Sequence, residues 1–321
     1  MCHRFFVDRL PNLEVSAGVL LRKTAGGVEY LLAQRPPDKV YAGCWEFPGG
    51  KLEAGESFHA ALARELFEEL GIVVATATPW LCREFTYPHA RVFLKFFRVT
   101  GWRGEIDPRE HSGIAWTRLG EPPAVAPLLP ANGAILRALA LSDAYVITHA
   151  AGNGVEAELE RLRQALTRGV RLLQLRDKTL DADVRRRFAE KVATLVDAFV
   201  GVSWLVNDDE VLARSVGAGL HLSSARLHAL ARRPDFAWVA ASCHTAADLA
   251  HAERLGLDFA VLGPVLPTAT HPGSPGIGWG AFARLVERAT IPVFALGGMK
   301  SHLLSTARCH GAHGIAFLRG W

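Results

Sequence analysis

The chain has 321 residues, of which 50% are hydrophobic and 21% are charged, and its formal net charge is +4 at pH 7 with neutral histidine. This length exceeds one average domain, and the nearly balanced charge excludes a protein that coats nucleic acid with a strongly basic surface. No apolar run approaches the roughly eighteen residues of a membrane span, and Arg4, Asp8 and Pro11 interrupt the short apolar stretch at the start of the sequence, so we expect no secretory signal. The five cysteines form no C-x-x-C pair, which favours reduced thiols over disulfides or zinc ligands. We therefore expect a cytoplasmic protein that binds neither a membrane nor, stably, nucleic acid.

The first half of the chain combines several predicted strands with one main helix. Alternating apolar stretches between Leu13 and about Arg98 predict strands, and a helical stretch lies near Ser57–Leu70. A loop rich in glycine, proline and charge follows, then a proline cluster and a short helix predicted over Asn132–Leu141. The pattern predicts a small α+β domain, with a mixed sheet and helices, over residues 1–141.

The second half follows a different pattern, in which short buried strands alternate with amphipathic helices from Ala144 onward. Eight strand and helix steps predict a compact α/β TIM barrel, (β/α)8, over residues 142–321. The chain ends at Trp321, directly after the eighth predicted strand. We therefore expect a barrel that lacks the last outer helix.

A glutamate-rich motif in the first half carries the clearest chemical signal. It has the pattern G-x(5)-E-x(7)-R-E-U-x-E-E-x-G-U, where U is a bulky aliphatic residue. Its specified positions are Gly50, Glu56, Arg64, Glu65, Leu66, Glu68, Glu69, Gly71 and Ile72. Three of the glutamates stand at i, i+3 and i+4 and share one helix face, where they repel each other unless a cation lies among them. The alternative, a solvated acidic helix face, explains neither the glycines nor the arginine at these spacings.

This motif resembles that of the Nudix hydrolases. The resemblance implies that the Gly50 carbonyl and the carboxylates of Glu65, Glu68 and Glu69 hold Mg²⁺ or Mn²⁺, hard cations that prefer oxygen ligands. It also implies that Arg64 orients a carboxylate and that Glu65 takes a proton from the attacking water. Glu110, on a later loop, is the candidate for a further metal ligand or base. The alternative for Glu110 is a solvated loop charge.

Segments outside the motif resemble the MutT branch of that family. They are EFPGGK over residues 46–51, Arg35, and LPAN ending at Asn132. The resemblance implies hydrolysis of 8-oxo-dGTP to the monophosphate and pyrophosphate, with the Asn132 carboxamide, which both donates and accepts, at the oxidised base. The alternative role of Asn132 is the N-cap of the following helix. We expect Phe47, Tyr87 and Val92 to line the base pocket and Arg35 and Lys51 to contact phosphates. The alternative for Tyr87 and Val92 is a place in the hydrophobic core.

Polar residues follow most strands of the second half, at the end of a barrel where active sites gather. In chain order they are Gln174, Arg176, Lys178, Asn207, Asp208, His221, Ser242, His244, Thr268 and Thr270, and then Gly297 and Gly298, whose backbone amides could approach a phosphate. This ordered set resembles the thiamine phosphate synthase and TenI superfamily. The resemblance implies that His244 is an acid/base and Asp208 a metal ligand, and that the remaining family positions contact substrate.

Two departures from the synthase pattern leave the activity of the barrel open. Arg226 stands where a second metal-binding aspartate is expected, and His271 stands where the family has a lysine. Three alternatives remain for the barrel: a thiazole tautomerase, a thiamine phosphate synthase, and a module that binds a phosphorylated ligand without catalysis.

Three interpretations also remain for the whole chain. In the first, a Mg²⁺-dependent hydrolase removes an oxidised purine nucleoside triphosphate from the nucleotide pool. In the second, the whole chain serves thiamine metabolism, and its first half hydrolyses a thiamine-related diphosphate. In the third, the barrel is a non-catalytic sensor that binds a thiazole or thiamine phosphate and modulates the first half.

Overall fold

The computed structural model describes residues 10–268, 273 and 275–319. The chain divides into two compact units, Met1–Ala140 and Leu141–Trp321. Within the described ranges, none of the helices is long and apolar enough to cross a membrane.

The first unit is built on a seven-stranded mixed sheet. Its strands are β1 (Asn12–Thr24), β2 (Gly27–Gln34), β3 (Trp45–Glu46), β4 (Gly49–Lys51), β5 (Val73–Tyr87), β6 (Ala90–Arg103) and β7 (Gly113–Arg118). The main path runs β3-β2-β1-β6-β5, while β4 pairs with β1 and β7 pairs with β2. Strands β1 and β6 run parallel and the other pairs are antiparallel. The predicted α+β architecture with a mixed sheet is confirmed.

Helix α1 (Phe58–Leu70) carries the glutamate-rich motif. It begins where the Ser57 side chain accepts a hydrogen bond from the backbone N–H of Ala60, and it ends at Gly71, whose φ of 70° is in the left-handed region. One face of α1 packs into a hydrophobic core through Ala61, Leu62, Leu66 and Leu70. Since the apolar side chains take that face, the glutamates are left together on the remaining surface of the helix.

The end of the first unit differs in detail from the sequence-based prediction. In place of one helix over Asn132–Leu141, a 3-10 turn (Pro130–Asn132) leads into helix α2 (Gly133–Leu139). Proline fixes φ in the first turn and lacks an N–H donor, which suits such a tight start. Asn132 therefore lies in the 3-10 turn that precedes α2.

The second unit is a closed parallel barrel of eight strands, as predicted. The strands are β8 (Ala144–Ile147), β9 (Leu172–Leu175), β10 (Ser203–Asn207), β11 (Gly219–Leu222), β12 (Val239–Cys243), β13 (Phe259–Leu262), β14 (Val293–Leu296) and β15 (Gly314–Phe317). The helices between them are α3 (Ala150–Asn153), α4 (Val155–Thr167), α5 (Ala182–Asp197), α6 (Glu210–Ser215), α7 (Ser224–His228), α8 (Ala246–Arg254), α9 (Gly278–Val286) and α10 (Leu304–Cys309). In the described part of the chain, no helix follows β15.

The interior of the barrel is filled by residues that alternate along the strands. Tyr145, Phe259 and Phe294 point inward and their rings pack together, with centroids 5.2 to 5.7 Å apart. Their chain neighbours Ala144, Val146 and Ala260 belong instead to the larger cluster that includes the surrounding helices. Side chains therefore point alternately into and out of the barrel, and the inward ones form a packed core.

A buried carboxylate fastens helix α4 to the end of β8. The Glu158 side chain is fully buried and accepts hydrogen bonds from the backbone N–H of His149, from Asn153 and from Arg161. Arg161 also donates to the carbonyl of Ile147. Although burial raises it, the Arg161 hydrogen bond and charge, with those of Asn153 and His149, bring the net pKa of Glu158 below its ordinary value.

We expect Glu158→Gln to destabilise the second unit by about 3 kcal/mol, because it leaves the Arg161 guanidinium without its buried counter-charge. Since the folded-state pKa is lowered, the charged carboxylate stabilises the fold above the unfolded pKa of about 4.3, and this contribution disappears as the pH falls through the folded pKa. The stability of the variant should therefore not show this decrease at low pH. Hydrogen exchange of peptides within residues 144–167 across a urea series measures the effect in the full chain.

Glu160→Gln is the matched control on the same helix, since Glu160 is exposed and its partners, Arg163 at 3.6 Å and Gln164 at 3.1 Å, are exposed contacts. We expect it to change stability by less than about 0.5 kcal/mol. Equal effects of the two substitutions would contradict the role given to Glu158.

Candidate functional site

Arg64 is the centre of an ion-pair network on the polar face of α1. Its guanidinium contacts the carboxylates of Glu56, Glu65 and Glu68 at 2.9, 3.0 and 3.1 Å, and it donates to the carbonyl of Lys51 at 2.9 Å. The network joins the helix to the loop that follows β4. This geometry agrees with the predicted orienting role of Arg64, because Arg64 contacts two of the three helix carboxylates, those of Glu65 and Glu68.

Two glycines of β4 lie very close to carboxylates of the helix. The backbone N–H of Gly49 donates to Glu69 Oε2 at 2.8 Å. A Cβ atom on Gly50 would lie only 2.1 Å from the Glu65 carboxyl carbon. Strand β4 therefore lies against the helix carboxylates, and Gly50 has no room for a side chain.

Burial and mutual repulsion act on these carboxylates. Burial raises the pKa of Glu65, against the hydrogen bond from Arg64, and the charges of Glu68 and Glu110 add to the increase. Burial, and then the charge of Glu46, raise the pKa of Glu69 to about 9, with further contributions from Glu65 and Glu110. A cation among these groups would offset the repulsion between them and favour their charged forms.

The donor set agrees with a hard divalent cation. The residues that would hold it are the Gly50 carbonyl, Glu65, Glu68 and Glu69, all oxygen donors of the kind that Mg²⁺ and Mn²⁺ prefer. In residues 10–268, 273 and 275–319, no three His, Cys, Asp or Glu side chains already converge as a finished metal cage. Arg64 bridges the carboxylates of Glu65 and Glu68, whereas the Glu69 carboxylate accepts the backbone N–H of Gly49.

Glu110 lies near this group without joining it by a hydrogen bond. Its side chain is half exposed and lies 3.8 Å from the Lys39 ammonium, while its charge contributes to the raised pKa values of Glu65 and Glu69. This position agrees with the predicted place of an additional ligand or base, and the role itself stays a prediction.

His111, beside the helix, was not predicted from the sequence as a site residue. The His111 side chain is only 3% exposed, and its Nε2 lies 3.9 Å from carboxylate oxygens of both Glu46 and Glu69. Its Nδ1 is buried without a hydrogen-bond partner. Burial, with the charges of Arg35 and Lys39, lowers the pKa of His111 to about 4. The available sequence signal was the position of this histidine directly after Glu110.

Arg35, directly after β2, and Glu46, on β3, form a tight ion pair. Arg35 Nη1 contacts both Glu46 oxygens at 2.6 and 2.7 Å, and its Nε donates to the carbonyl of Val40. Lys51, by contrast, is exposed. Of the two predicted phosphate contacts, Arg35 is therefore already paired with a carboxylate, whereas Lys51 is open to solvent.

The Asn132 carboxamide is buried and does not cap a helix. The side chain makes no cap hydrogen bond to α2, so the alternative role as an N-cap does not apply. Its Nδ2 lies 3.5 Å from the carbonyl of Trp45, which already accepts the backbone N–H of Leu129 at 2.8 Å. A carboxamide held in this way has its strongest hydrogen bonds still to make.

Aromatic side chains belong to the hydrophobic cluster that contains Ala131, the residue before Asn132. Phe47 and Tyr87, both predicted at the base pocket, are 3% and 6% exposed and pack in one cluster with Ala131. The Tyr87 hydroxyl is buried beside the backbone of Ala131. Burial, and then the charge of Glu46, raise its pKa to about 12.

In the second unit, a cavity of about 450 Å³ opens at the carboxyl ends of the barrel strands. Gln174 donates to Asn207 Oδ1 at 3.2 Å, while Asn207 Nδ2 is buried without a partner. The cavity contains most of the barrel residues that were predicted from the sequence, namely Gln174, Arg176, Lys178, Asn207, His244, Thr268, Gly297 and Gly298. Thr270 and His271 lie outside the described residues.

Asp208 is engaged within the protein at the edge of this cavity. Its carboxylate accepts the backbone N–H of Ser223 at 2.7 Å and lies 3.4 Å from the Lys178 ammonium. Although burial raises it, these contacts bring the net pKa of Asp208 below its ordinary value. Arg226, at the place of the expected second aspartate, pairs with Glu210 at 2.8 Å. The predicted barrel metal site thus has a single carboxylate, which already has a cationic partner.

The predicted acid/base of the barrel has a defined orientation. His244 Nδ1 lies 2.6 Å from the carbonyl of Gly263, so Nδ1 carries the hydrogen and donates. The backbone N–H of His244 donates to Asp248. In the neutral ring, Nε2 is then the hydrogen-bond acceptor, in a side chain that lines the cavity.

Two glycines after β14 are required by the backbone. Gly297 and Gly298 have φ values of 96° and 66°, in the left-handed region. A Cβ on Gly297 would lie 2.6 Å from Pro264, and one on Gly298 would lie 2.8 Å from Leu266. The close packing explains both glycines, and their place in the cavity lining agrees with the predicted phosphate contact.

Comparison with known proteins identifies both units. Residues 12–139 match the profile of the NUDIX domain, and residues 144–320 match that of thiamine monophosphate synthase. A putative thiamine-phosphate synthase 2 of Aquifex aeolicus is 34% identical over 176 residues, which cover 54% of this chain and 93% of that protein. The 8-oxo-dGTP diphosphatase of Proteus vulgaris is 40% identical over 101 residues, which cover 32% and 88%. The CTP pyrophosphohydrolase of Escherichia coli is 36% identical over 132 residues, which cover 39% and 90%.

The molecule is a fusion of a diphosphate-bond hydrolase domain and a synthase-like TIM barrel. The chain belongs to the Nudix family through residues 12–139, where its relatives include 8-oxo-dGTP diphosphatase, and to the thiamine monophosphate synthase family through residues 144–320.

Proposed function

We propose that the Nudix domain, taken as residues 1–141, hydrolyses an oxidised purine nucleoside triphosphate of the 8-oxo-dGTP type to the monophosphate and pyrophosphate. The barrel, residues 142–321, binds a small phosphorylated molecule. The similarity to the Proteus vulgaris 8-oxo-dGTP diphosphatase supports this substrate class.

The observation that carries the proposal is the state of Asn132. The side chain is 2% exposed and makes no cap hydrogen bond, and its chain neighbour Ala131 packs in one cluster with the aromatic residues Phe47 and Tyr87. An 8-oxo-purine presents both a donor and an acceptor along one edge, and a carboxamide is the neutral side chain that matches such an edge. Aromatic neighbours supply the faces against which a flat base packs.

The chain's own residues divide the chemical work. Glu65, Glu68, Glu69, the Gly50 carbonyl and, from its loop, Glu110 would hold Mg²⁺ or Mn²⁺. The bound ion supplies charge neutralisation on the polyphosphate and activation of a water. Arg64 keeps Glu65 and Glu68 in place, and Glu65 accepts the proton that the attacking water loses.

Asn132→Ala tests the base contact. We expect kcat/KM for 8-oxo-dGTP to fall about 10- to 100-fold, since a hydrogen-bonding group at the base is worth about 1–3 kcal/mol, while kcat/KM for dGTP changes little. The measurement is steady-state hydrolysis of both nucleotides with Mg²⁺.

Asn12→Ala provides a control for the loss of a carboxamide, since Asn12 is exposed at the start of β1, and it should leave both kcat/KM values unchanged. Equal losses for 8-oxo-dGTP and dGTP in Asn132→Ala would contradict the assignment of base recognition to this residue.

A second candidate function is supported by the barrel. Because the larger half of the chain belongs to the thiamine monophosphate synthase family, the Nudix domain could instead serve the same metabolism by hydrolysing a thiamine-related diphosphate. The Asn132→Ala experiment separates the two functions, since a thiamine diphosphate lacks the oxidised purine edge. Similarity to a CTP pyrophosphohydrolase makes CTP a third substrate to include.

For the barrel, we propose ligand binding without a magnesium-dependent synthase step. Support comes from the pairing of Asp208 with Lys178 and of Arg226 with Glu210, which leaves one engaged carboxylate where a metal site needs several. The cationic and amide side chains of the cavity suit a thiazole phosphate or a thiamine phosphate. His244, whose Nδ1 is held by the Gly263 carbonyl, has its Nε2 available to act as a general base for a tautomerisation.

A further inference from the structure

Three side chains inside the barrel form a continuous hydrogen-bonded line. The Tyr145 hydroxyl lies 3.1 Å from His221 Nδ1, and His221 Nε2 lies 2.9 Å from Ser242 Oγ. Tyr145 is completely buried and His221 is 1% exposed, whereas Ser242 and His221 both line the cavity. The line therefore starts in the core and ends at the ligand space.

The surroundings of Tyr145 determine the direction of these hydrogen bonds. Its ring packs against Phe259 and Phe294, and among the described residues His221 is the hydrogen-bond partner of its hydroxyl. A buried hydroxyl that fails to donate carries a free-energy penalty. The tyrosine proton must therefore go to His221 Nδ1, which requires that nitrogen to be unprotonated.

The other two protonation patterns of His221 break this requirement. With hydrogen on Nδ1 only, the ring would donate to the tyrosine oxygen, and the tyrosine proton would have no acceptor. A doubly protonated ring fails in the same way. The remaining form is the neutral ring with hydrogen on Nε2, which donates to Ser242 Oγ.

We propose that His221 is a positioning residue that sets Ser242 as a hydrogen-bond donor into the barrel cavity. Because Ser242 Oγ accepts from His221, its own hydrogen is directed to another acceptor. The cations Arg176 and Lys178 line the same cavity, so the acceptor that fits is an oxygen of a phosphate group. This inference rests on the proposed phosphate-ligand function of the barrel and is independent of hydrolysis by the Nudix domain.

The direction of the line can be measured without any ligand. In the full chain labelled with ¹⁵N-histidine, long-range proton–nitrogen spectra should give one ring, absent in His221→Asn, with hydrogen on Nε2 and none on Nδ1. Tyr145→Phe removes the donor to Nδ1 and should shift that ring towards the other tautomer. Tyr30→Phe, which removes a buried hydroxyl in the first unit, should leave the signals of that ring unchanged.

The consequence for binding is measured by calorimetric titration with thiamine monophosphate and with inorganic phosphate. We expect Ser242→Ala and Tyr145→Phe each to raise Kd about tenfold for at least one probe. The double variant should be no weaker than Ser242→Ala alone, because Tyr145 acts through the serine. Weakening with inorganic phosphate as well would assign the contact to the phosphate group itself.

Several results would overturn the inference. A His221 ring with hydrogen on Nδ1, or a tautomer that Tyr145→Phe does not change, would contradict the hydrogen-bond direction. Additive losses in the double variant would contradict the action through Ser242. If the native chain binds neither probe while the tautomer is as expected, the phosphate ligand is wrong, and the proposed barrel function fails separately from the geometry.

Discussion

Glu65→Gln should reduce kcat for nucleotide hydrolysis by about 1000-fold or more, because it removes a metal-ligating charge and a proton acceptor together. Glu65 is 15% exposed, is held at 3.0 Å by Arg64, and lies directly against Gly50. The glutamine has the same shape and still accepts a hydrogen bond from Arg64. We therefore expect the circular dichroism spectrum and the melting temperature to stay close to those of the native chain.

A matched carboxylate distinguishes this effect from a general loss of negative charge. Glu105 is exposed on a loop, and Glu105→Gln should hydrolyse nucleotides at the native rate. Mn²⁺ binding followed by electron paramagnetic resonance should weaken in Glu65→Gln and be retained in Glu105→Gln. Near-native turnover by Glu65→Gln would remove the metal-site assignment.

Gly50→Ala is expected to be almost as harmful, for a geometric reason. The added Cβ would lie 2.1 Å from the Glu65 carboxyl carbon, so either β4 or the carboxylate must move. A displacement of about 1 Å at an active site costs about 100-fold in rate. We expect kcat/KM to fall by about that factor, measured by the same hydrolysis assay with saturating Mg²⁺.

Gly113→Ala is the appropriate comparison, because Gly113 has no positive φ and a Cβ there meets nothing within 4 Å. It should retain native activity. Native activity in Gly50→Ala would mean that Glu65 does not need its present position, and the proposed ligand set would fail with it.

The site was predictable where its residues follow a local period. Glu65, Glu68 and Glu69 lie on one helix, and spacing alone places them on a common face. Their neighbours Gly50 and Arg64 came from the motif. The structure adds the physical reason for both, namely the missing space at Gly50 and the ion pairs of Arg64.

Residues brought in by tertiary structure were not predictable in this way. Glu46 and His111 are distant in sequence from Glu69 and reach it only because β3 and the loop before β7 lie beside α1. A lone histidine in a charged loop has no period that marks it as buried. Asn132 illustrates a different limit, since an asparagine before a helix fits both capping and recognition until the cap hydrogen bond is known to be missing.

In the barrel, too, sequence patterns predicted the elements and the cavity residues but not the contacts between side chains. Short apolar strands alternating with helices predicted all eight strands, and their carboxyl ends predicted the cavity residues. The pairing of Asp208 with Lys178 and the line from Tyr145 to Ser242 depend on side chains from different strands. Sequence order alone does not fix such distances.

The most direct test of the central claim is steady-state hydrolysis of a nucleotide panel by the full chain with Mg²⁺, comparing kcat/KM for 8-oxo-dGTP, dGTP, CTP and thiamine diphosphate. The proposed function predicts that 8-oxo-dGTP exceeds dGTP by about 100-fold or more, which corresponds to about 3 kcal/mol of transition-state stabilisation. A higher kcat/KM for thiamine diphosphate or CTP than for 8-oxo-dGTP would contradict it.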